Sequence, residues 1–186
     1  DKAARFVQLC NAHGLPIISL IDTPGNMVGP QAEAQALVRH CCRLFVAGAK
    51  VTVPWVSIVI RKAYGLGAMA MAAGSFHDSL LSVAWPQAEF GGMGLEGAVR
   101  LGFKRELESL SSDQEREALF QSKFDEMMEQ GKAISAAMLF EIDAVIDPDA
   151  TRAWILSALE VAGAHDVAGA RDVAGALEPS GSLETA

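Results

Sequence analysis

The stretch Ile60–Gly74, IRKAYGLGAMAMAAG, follows a run of apolar residues and contains almost no large side chains. The apolar run, Trp55–Ile60, is rich in β-branched residues and predicts a buried strand, which ends in the cations Arg61 and Lys62. A glycine turn follows, and the alanines and methionines after it predict a helix that ends at Gly74. The stretch therefore predicts a strand–turn–helix unit whose helix begins at glycines.

A helix that begins in a glycine turn presents backbone N–H groups that have no partner within the helix. The helix macrodipole adds partial positive charge at the same end. Donors placed in this way form an oxyanion hole, where one donor is worth about 3–4 kcal/mol. Gly65 and Gly67 fit this interpretation, but a lone G-x-G is a weak motif, and tight packing between strand and helix explains it as well.

Two more apolar runs, Ile17–Ile21 and Ser79–Trp85, lie on either side of this unit. Continuous rather than alternating hydrophobicity is typical of strands that are buried on both faces of a parallel sheet. A helix is predicted over residues 32–49, between the runs Ile17–Ile21 and Trp55–Ile60. The order of strand, loop and helix occurs three times, so the predicted fold class is α/β with a mostly parallel sheet. Further helices are predicted over residues 2–13, 112–130 (with Ser112 as its cap), 133–140 and 149–162, and a short strand over 144–147.

Composition excludes several classes of protein. The 186 residues suffice for one domain, and a formal net charge of -8 argues against a nucleic-acid surface. No apolar run reaches the ~18 residues of a membrane-spanning helix. Three cysteines, an odd number without CxxC spacing, fit a reducing compartment, and we expect a cytoplasmic protein, with the mitochondrial matrix or another organelle still open. The histidines show no spacing typical of metal ligands, so no metal site is expected.

The last part of the chain differs from the rest in composition. The unit DVAGA occurs at Asp166–Ala170 and again at Asp172–Ala176, within a segment that has little to bury. The predicted division is a domain over residues 1–160 and a flexible, low-complexity tail over 161–186.

Five segments in order resemble one protein family. The sequence is similar to the C-terminal half of biotin-dependent acyl-CoA carboxyltransferases, of the acetyl-, propionyl- and methylcrotonyl-CoA carboxylase type, over residues 1 to about 160. No single segment would be specific, but their order is. The segments are DKAARFVQLC (1–10), LPIISLIDTPGNMVG (15–29), RKAYGLGAMAM (61–71), AWPQAEFGGMGLEGAV (84–99) and EIDAVIDPDATR (141–152).

The resemblance implies the crotonase (ClpP-like) superfold, a spiral of ββα units, which periodicity alone does not show. It also implies transfer of a carboxyl group from carboxybiotin to the carbon next to an acyl-CoA thioester carbonyl. In the family, this half supplies the biotin side of the site. Two backbone N–H groups hold the ureido oxygen of biotin, which becomes enolate-like as carbon dioxide leaves carboxybiotin. The ureido anion left behind can take the substrate's proton, so no enzyme base is required.

The resemblance assigns expected roles residue by residue. The catalytic N–H groups correspond to Leu66 and Gly67. Asn26 departs from the family, which often has an aromatic residue there, and this puts the shape of the pocket wall in doubt. The biotin-binding residues expected are Gly65, Ala68, Pro24, Gly25 and Asn26, and the substrate-binding residues are Met69, Gly92 and Met93.

Structural explanations remain open for several of these positions. A turn fixed by Pro24 and Gly25, a helix start at Gly92, and core packing of Met69 would each account for the residue without a ligand. Arg61 and Lys62 are candidates to attract the phosphates of CoA or the carboxylate of carboxybiotin, although exposed cations at strand ends are usually solvated.

The family also implies partners. Biotin would be carried on a separate carrier domain and loaded by a biotin carboxylase, and the N-terminal carboxyltransferase half would bind most of the acyl-CoA. We expect homo-oligomers, because relatives assemble from head-to-tail dimers. The chain begins after the usual start of the family's C-terminal half, and we expect it to be inactive alone.

Three other functions stay open. The first two are a hydratase or isomerase and a biotin-dependent decarboxylase, both of the same superfold, and a hydratase could use Glu89 and Glu96 as its carboxylates. The third is a non-catalytic module for the assembly of a carboxylase. Loss of a hydratase activity on substitution of Glu89 would favour the hydratase over the transferase. Normal activity of a folded variant with a bulky residue in place of Gly67 would favour the assembly module.

Overall fold

Strands and helices alternate along residues 1–163, the part of the chain that the computed structural model describes. The strands are β1 (Ile17–Thr23), β2 (Trp55–Tyr64), β3 (Leu81–Ala84), β4 (Glu89–Gly91) and β5 (Ala144–Val145). The α-helices are α1 (Lys2–Ala12), α2 (Pro30–Ala34), α3 (Leu37–Gly48), α4 (Gly65–Met71), α5 (Leu95–Gly102), α6 (Lys104–Ser109), α7 (Asp113–Gln130), α8 (Ala133–Met138) and α9 (Thr151–Val161). Short 3₁₀ turns cover Phe76–Asp78 and Pro148–Ala150.

The long strand β2 organises a parallel sheet. The strand order is β1-β2-β3-β5, and β4 pairs with the last residues of β2, from Lys62 to Tyr64. All of these pairings are parallel, which confirms the predicted α/β class. Because the carboxyl ends of parallel strands lie at one edge of the sheet, the loops after β1 and β2 meet there.

The central strand β2 is buried on both faces over Trp55–Val59, as its continuous apolar run predicted. On one face Ile21 and Val59 pack with α4 and α8 in a cluster of fully buried residues. On the other face Val56, Ile58 and Val83 pack against α9. Burial on both sides explains why the run in β2 shows no alternation of polar and apolar residues.

Strand β1 differs, because it lies at the edge of the described sheet. Ile17 and Ile21 are buried, but Ile18 and Leu20 on its other face are 39% and 55% exposed. The prediction that the run Ile17–Ile21 is buried on both faces is therefore wrong.

Helix α4 is short and packs through small side chains. Ala68 and Ala72 are 1% and 0% exposed and contact the sheet, while the segment that ends α4 meets α3. A Cβ atom on Gly48 of α3 would lie only 2.6 Å from the carbonyl oxygen of Ala73. The small residues of the opening stretch are therefore needed for close packing, whatever the glycines at the start of α4 do.

One predicted helix is divided in two. The helix expected over residues 32–49 is interrupted at Ala36, which adopts a left-handed conformation (φ 55°) between α2 and α3. This conformation costs about 1–2 kcal/mol for a residue with a Cβ atom, so the prediction of one continuous helix is wrong at Ala36 despite the high helix propensity of alanine. Ser112 precedes α7 as predicted, but its side chain makes no capping hydrogen bond.

Part of the predicted tail can be compared with the structure. Val161, the first residue of that segment, is still the last residue of α9. The repeats at 166–170 and 172–176 lie outside the described residues, so the division at residue 160 stays a prediction. Among the described helices, none is long and apolar enough to cross a membrane.

The contact between α3 and the end of α4 generates a first prediction. Gly48→Ala should lower the free energy of unfolding by about 1–3 kcal/mol, because the new methyl group would force two backbone segments apart. Urea denaturation followed by circular dichroism measures this. Gly102→Ala is the matched control, because a Cβ there meets nothing within 4 Å. Equal stability of the two variants would contradict the packing argument.

Candidate functional site

The turn between β2 and α4 is made by a single residue, Gly65. It has a left-handed backbone (φ 57°), and a Cβ atom there would lie 2.7 Å from the carbonyl oxygen of Gly92. Real Cβ atoms do not approach an oxygen this closely, so both conformation and space require glycine. The chain therefore passes from strand to helix directly at the carboxyl end of β2.

The N–H groups of Leu66 and Gly67 point out of the first turn of α4. The carbonyl groups four residues earlier belong to Lys62 and Ala63 of β2, so α4 itself supplies no acceptor for these two donors. No side chain caps the helix. The side chain of Leu66 is 60% exposed, which places this end of α4 at the protein surface.

The loop after β1 lies directly against the start of α4. A Cβ atom on Gly67 would lie 3.0 Å from the Cα atom of Gly25, and one on Gly25 would lie 3.0 Å from the carbonyl oxygen of Tyr64. The hydroxyl of Thr23 accepts a hydrogen bond from the Gly25 N–H at 3.2 Å. Three backbone segments, around residues 25, 66 and 92, thus converge at one place; we call this region the glycine junction.

Two charged side chains connect β1 and β2 just before the glycine junction. The Arg61 guanidinium donates to both carboxylate oxygens of Asp22, with distances from Nε of 3.2 and 3.1 Å, and the Lys62 N–H donates to the same carboxylate at 3.2 Å. The hydrogen bonds from Arg61 hold the pKa of Asp22 below its usual value. Arg61 was a candidate to bind phosphate or carboxylate ligands, and in the structure its charge is paired with Asp22.

Tyr64 was missed as a functional candidate. Its hydroxyl donates a hydrogen bond to Glu89 Oε2 at 2.6 Å, across the pairing of β2 and β4. Burial, together with this carboxylate, raises the pKa of Tyr64, so the hydroxyl stays protonated. The available signal was that the chain's single tyrosine comes directly before Gly65. Glu89, a possible hydratase carboxylate, is engaged by this contact.

A cleft of about 400 Å³ lies beside these groups. Its lining includes Pro24, Tyr64, Glu89 and Met93, so it brings together two of the residues that the sequence assigned to the site. Leu66 and Gly67 are not among its lining residues. The cleft therefore adjoins the glycine junction, and the two predicted donors lie outside it.

The remaining predicted site residues are distributed around the glycine junction. Ala68 is buried in the core beneath α4, whereas Met69, one turn into the helix, is 38% exposed. The Asn26 side chain donates to Cys41 Sγ at 3.2 Å and is thereby held against α3. Gly92 contributes its carbonyl group to the contact with Gly65. The ligand-binding roles of these residues stay predictions.

In the part of the chain that the structure describes, side chains that could bind a metal ion are not clustered. Within residues 1–163, no group of three or more His, Cys, Asp or Glu side chains has an arrangement that could hold a metal ion.

The chain belongs to the carboxyl transferase domain family, whose model matches residues 1–171. It is 36% identical over 162 residues to the methylmalonyl-CoA carboxyltransferase 12S subunit of Propionibacterium freudenreichii subsp. shermanii, which covers 87% of this chain and 30% of that subunit. The chain thus spans about a third of the length of such curated relatives.

Solved structures show the same fold. A single-chain, multi-domain long-chain acyl-CoA carboxylase matches with a TM-score of 0.74 and 55% identity, over 84% of this chain and 15% of that one. The transcarboxylase 12S structure, a hexamer with methylmalonyl-CoA bound, matches with a TM-score of 0.77 and 36% identity, over 87% and 30% of the two chains. These neighbours confirm the crotonase-like fold class that the resemblance implied.

The Asp22–Arg61 pair generates a prediction on pH. Because the folded pKa of Asp22 is lowered, its stabilising contribution is present above the unfolded pKa of about 3.9 and is lost as the pH falls through the folded value. Asp22→Asn should therefore be less stable than the parent at about pH 7, and the difference should shrink toward about pH 3. Urea midpoints measure it, and a difference that does not change with pH would contradict the assignment.

Proposed function

We propose that this chain supplies the biotin side of a carboxyltransferase site, in which a carboxyl group moves from carboxybiotin to the α-carbon of an acyl-CoA. The observation that carries the proposal is the start of α4, where the N–H groups of Leu66 and Gly67 have no acceptor within the helix and no capping side chain. Membership of the carboxyl transferase family supports the reaction class.

The donor set fits the carbonyl oxygen of a biotin ring. Backbone N–H groups can donate hydrogen bonds to a neutral carbonyl oxygen. Two adjacent donors at a positive helix end are suited to an oxygen on which negative charge develops. The glycines on either side exclude side-chain bulk from this position. When bound, biotin supplies the carboxyl group that is transferred.

The protein's own contribution is electrostatic. The Leu66 and Gly67 N–H groups are fixed by the fold before any ligand arrives, so they need no reorganisation as charge develops on the oxygen. Loss of one such donor costs about 10²–10³ in turnover in known oxyanion holes. Gly25, which lies against the start of α4, and Pro24, which lines the neighbouring cleft, would keep the ring in place. Met69 and Met93 offer apolar surface for the acyl group.

The rest of the site would come from outside this chain. In our proposal an N-terminal carboxyltransferase half holds most of the acyl-CoA, and a carrier domain delivers biotin that a biotin carboxylase has loaded. The hexamer of the 12S structure supports self-assembly of the parent protein. Several large apolar side chains are exposed in the described part of the chain, among them Met27, Val28 and Phe140, and these offer contact surface for such an assembly.

The contact at Gly67 generates a prediction on activity. In the full-length protein that carries this chain, Gly67→Ala should lower kcat for carboxyl transfer by about 10²-fold, because the added methyl would push the Gly67 N–H away from the Gly25 loop. Fixation of labelled bicarbonate into acyl-CoA, with biotin carboxylase and biotinylated carrier present, measures this. Gly102→Ala is the matched control. Normal activity of a folded Gly67→Ala variant would favour a role in assembly instead.

A second prediction concerns the 186-residue chain alone. It should show negligible decarboxylation of free carboxybiotin and no transfer to acyl-CoA, because the acyl-CoA side of the proposed site lies in the other half. Adding that half as a separate polypeptide should restore transfer. Robust turnover by the chain alone would refute the division of the site between two halves.

A further inference from the structure

The pairing of β1 with β2 contains a break in register close to the glycine junction. The two strands run in step from Ile17 opposite Trp55 to Ile21 opposite Val59, and the next pair is Thr23 opposite Ala63. Two steps along β1 therefore correspond to four along β2, so β2 accommodates two extra residues. A bulge of this kind bends the strand and leaves backbone groups without their ladder partners.

Asp22 occupies the single β1 position opposite this bulge. Its carboxylate accepts the Lys62 N–H at 3.2 Å, so it replaces a ladder partner for a bulged residue. The same carboxylate receives Arg61 Nε and Nη2, the latter at 3.0 Å, and so it holds the bulged segment at two points. The Asp22 carboxylate on β1 thus fixes the side chain of Arg61 and the backbone of Lys62, two consecutive residues of β2.

The bulge is also close in sequence to both sides of the glycine junction. Asp22 is followed by Thr23, whose hydroxyl accepts the Gly25 N–H and would lie 3.3 Å from a Cβ on Gly67. Lys62 is followed, two residues later, by the end of β2 and then by the turn at Gly65. A change in the geometry of the bulge would therefore alter the position of α4's first turn relative to the Gly25 loop.

We propose that Asp22 is a positioning residue for the Leu66 and Gly67 N–H donors, a role that rests on the proposed carboxyltransferase function. Asp22 contacts neither substrate nor biotin in this role. It sets the path of β2 into the glycine turn, and the donors follow from that path. A displacement of about 1 Å at a reacting group can cost about 10²-fold in rate, so a small relaxation of the bulge is sufficient.

An ordinary surface ion pair would behave differently. The Arg61 and Asp22 side chains are 64% and 30% exposed, and pairs at such exposure contribute about 0–1 kcal/mol to stability. If the pair were only that, its loss would lower stability slightly and leave turnover unchanged. A measurement of kcat therefore distinguishes a positioning role for Asp22 from that of an ordinary surface ion pair.

The test compares graded variants in the full-length protein that carries this chain. Asp22→Asn keeps an oxygen for the Lys62 N–H but loses the charge that pairs with Arg61, whereas Asp22→Ala loses both. We expect kcat to fall about 10-fold in the first and about 10²-fold in the second, with KM for acyl-CoA within about 2-fold of the parent. Asp113→Asn, which breaks the Asp113–Arg116 pair on α7, is the matched control and should leave kcat unchanged.

A second readout does not depend on turnover. Amide hydrogen exchange in a peptide that covers residues 62–71 should be about 10-fold faster in Asp22→Ala than in the parent, while peptides from α7 exchange at unchanged rates. If Asp22→Ala does not fold, Asp22→Asn and Arg61→Gln give the same comparison, and both should show intermediate effects on kcat and on exchange.

The outcomes separate this proposal from the function on which it rests. An active parent, an impaired Gly67→Ala variant and a folded Asp22→Ala variant with normal kcat would overturn the role of Asp22 alone. A fall in kcat that is matched by a fall in unfolding free energy, without faster local exchange, would also overturn it. A parent that transfers no carboxyl group would overturn both proposals.

Discussion

Backbone contacts without intervening side chains are the constraint on which the rest of this structure depends. The start of α4 meets the loop after β1 at Gly67 and Gly25, and it meets the loop after β4 at Gly65 and Gly92. A Cβ atom at Gly65 or Gly67 would fall at 2.7 or 3.0 Å from a neighbouring backbone atom. Glycine is therefore required first by packing, and the free N–H donors are a consequence of how three segments fit together. Packing thus accounts for Gly65 and Gly67, while the role of the adjacent N–H groups as an oxyanion hole stays a prediction.

The element order could be predicted from the sequence because it depends on composition over many residues. The apolar run before Arg61 predicts the first part of β2, and the glycine turn predicts the start of α4, both from local information. The strand continues past its predicted end at Ile60, to Tyr64. The register break between β1 and β2 could not be predicted in this way. Hydrophobic periodicity shows which residues are buried, but it contains no information on how many residues of one strand oppose another. Ala36 is a similar case, because its left-handed conformation occurs at a residue type that favours helix.

The candidate site shows the same division. The glycines after β2 were sufficient to predict backbone N–H donors at the start of a helix, and the residue types of Pro24 and Gly25 were sufficient to predict a turn. The pairing of Tyr64 with Glu89, and that of Asp22 with Arg61, joins residues that are far apart in the chain and share no motif. Arg61 in particular has the sequence context of a free cation at a strand end, and only the fold shows that Asp22 neutralises it. Chemical roles for Leu66 and Gly67 came from the family resemblance, since a backbone donor has no residue type of its own.

Strand β2 has different partners along its length: β1 and β3 pair with its first half, β1 pairs again at Ala63, and β4 pairs only with the last residues, from Lys62 to Tyr64. Because side chains alternate across a strand, an insertion or deletion of one residue in the first half would turn buried positions such as Val56 and Ile58 toward the wrong face. Between Ile60 and Lys62, where the strand already departs from regular pairing, a change of length would instead be absorbed locally and would redirect α4. Length variation among homologous chains at this one point would therefore reshape the mouth of the site while leaving the hydrophobic interior intact.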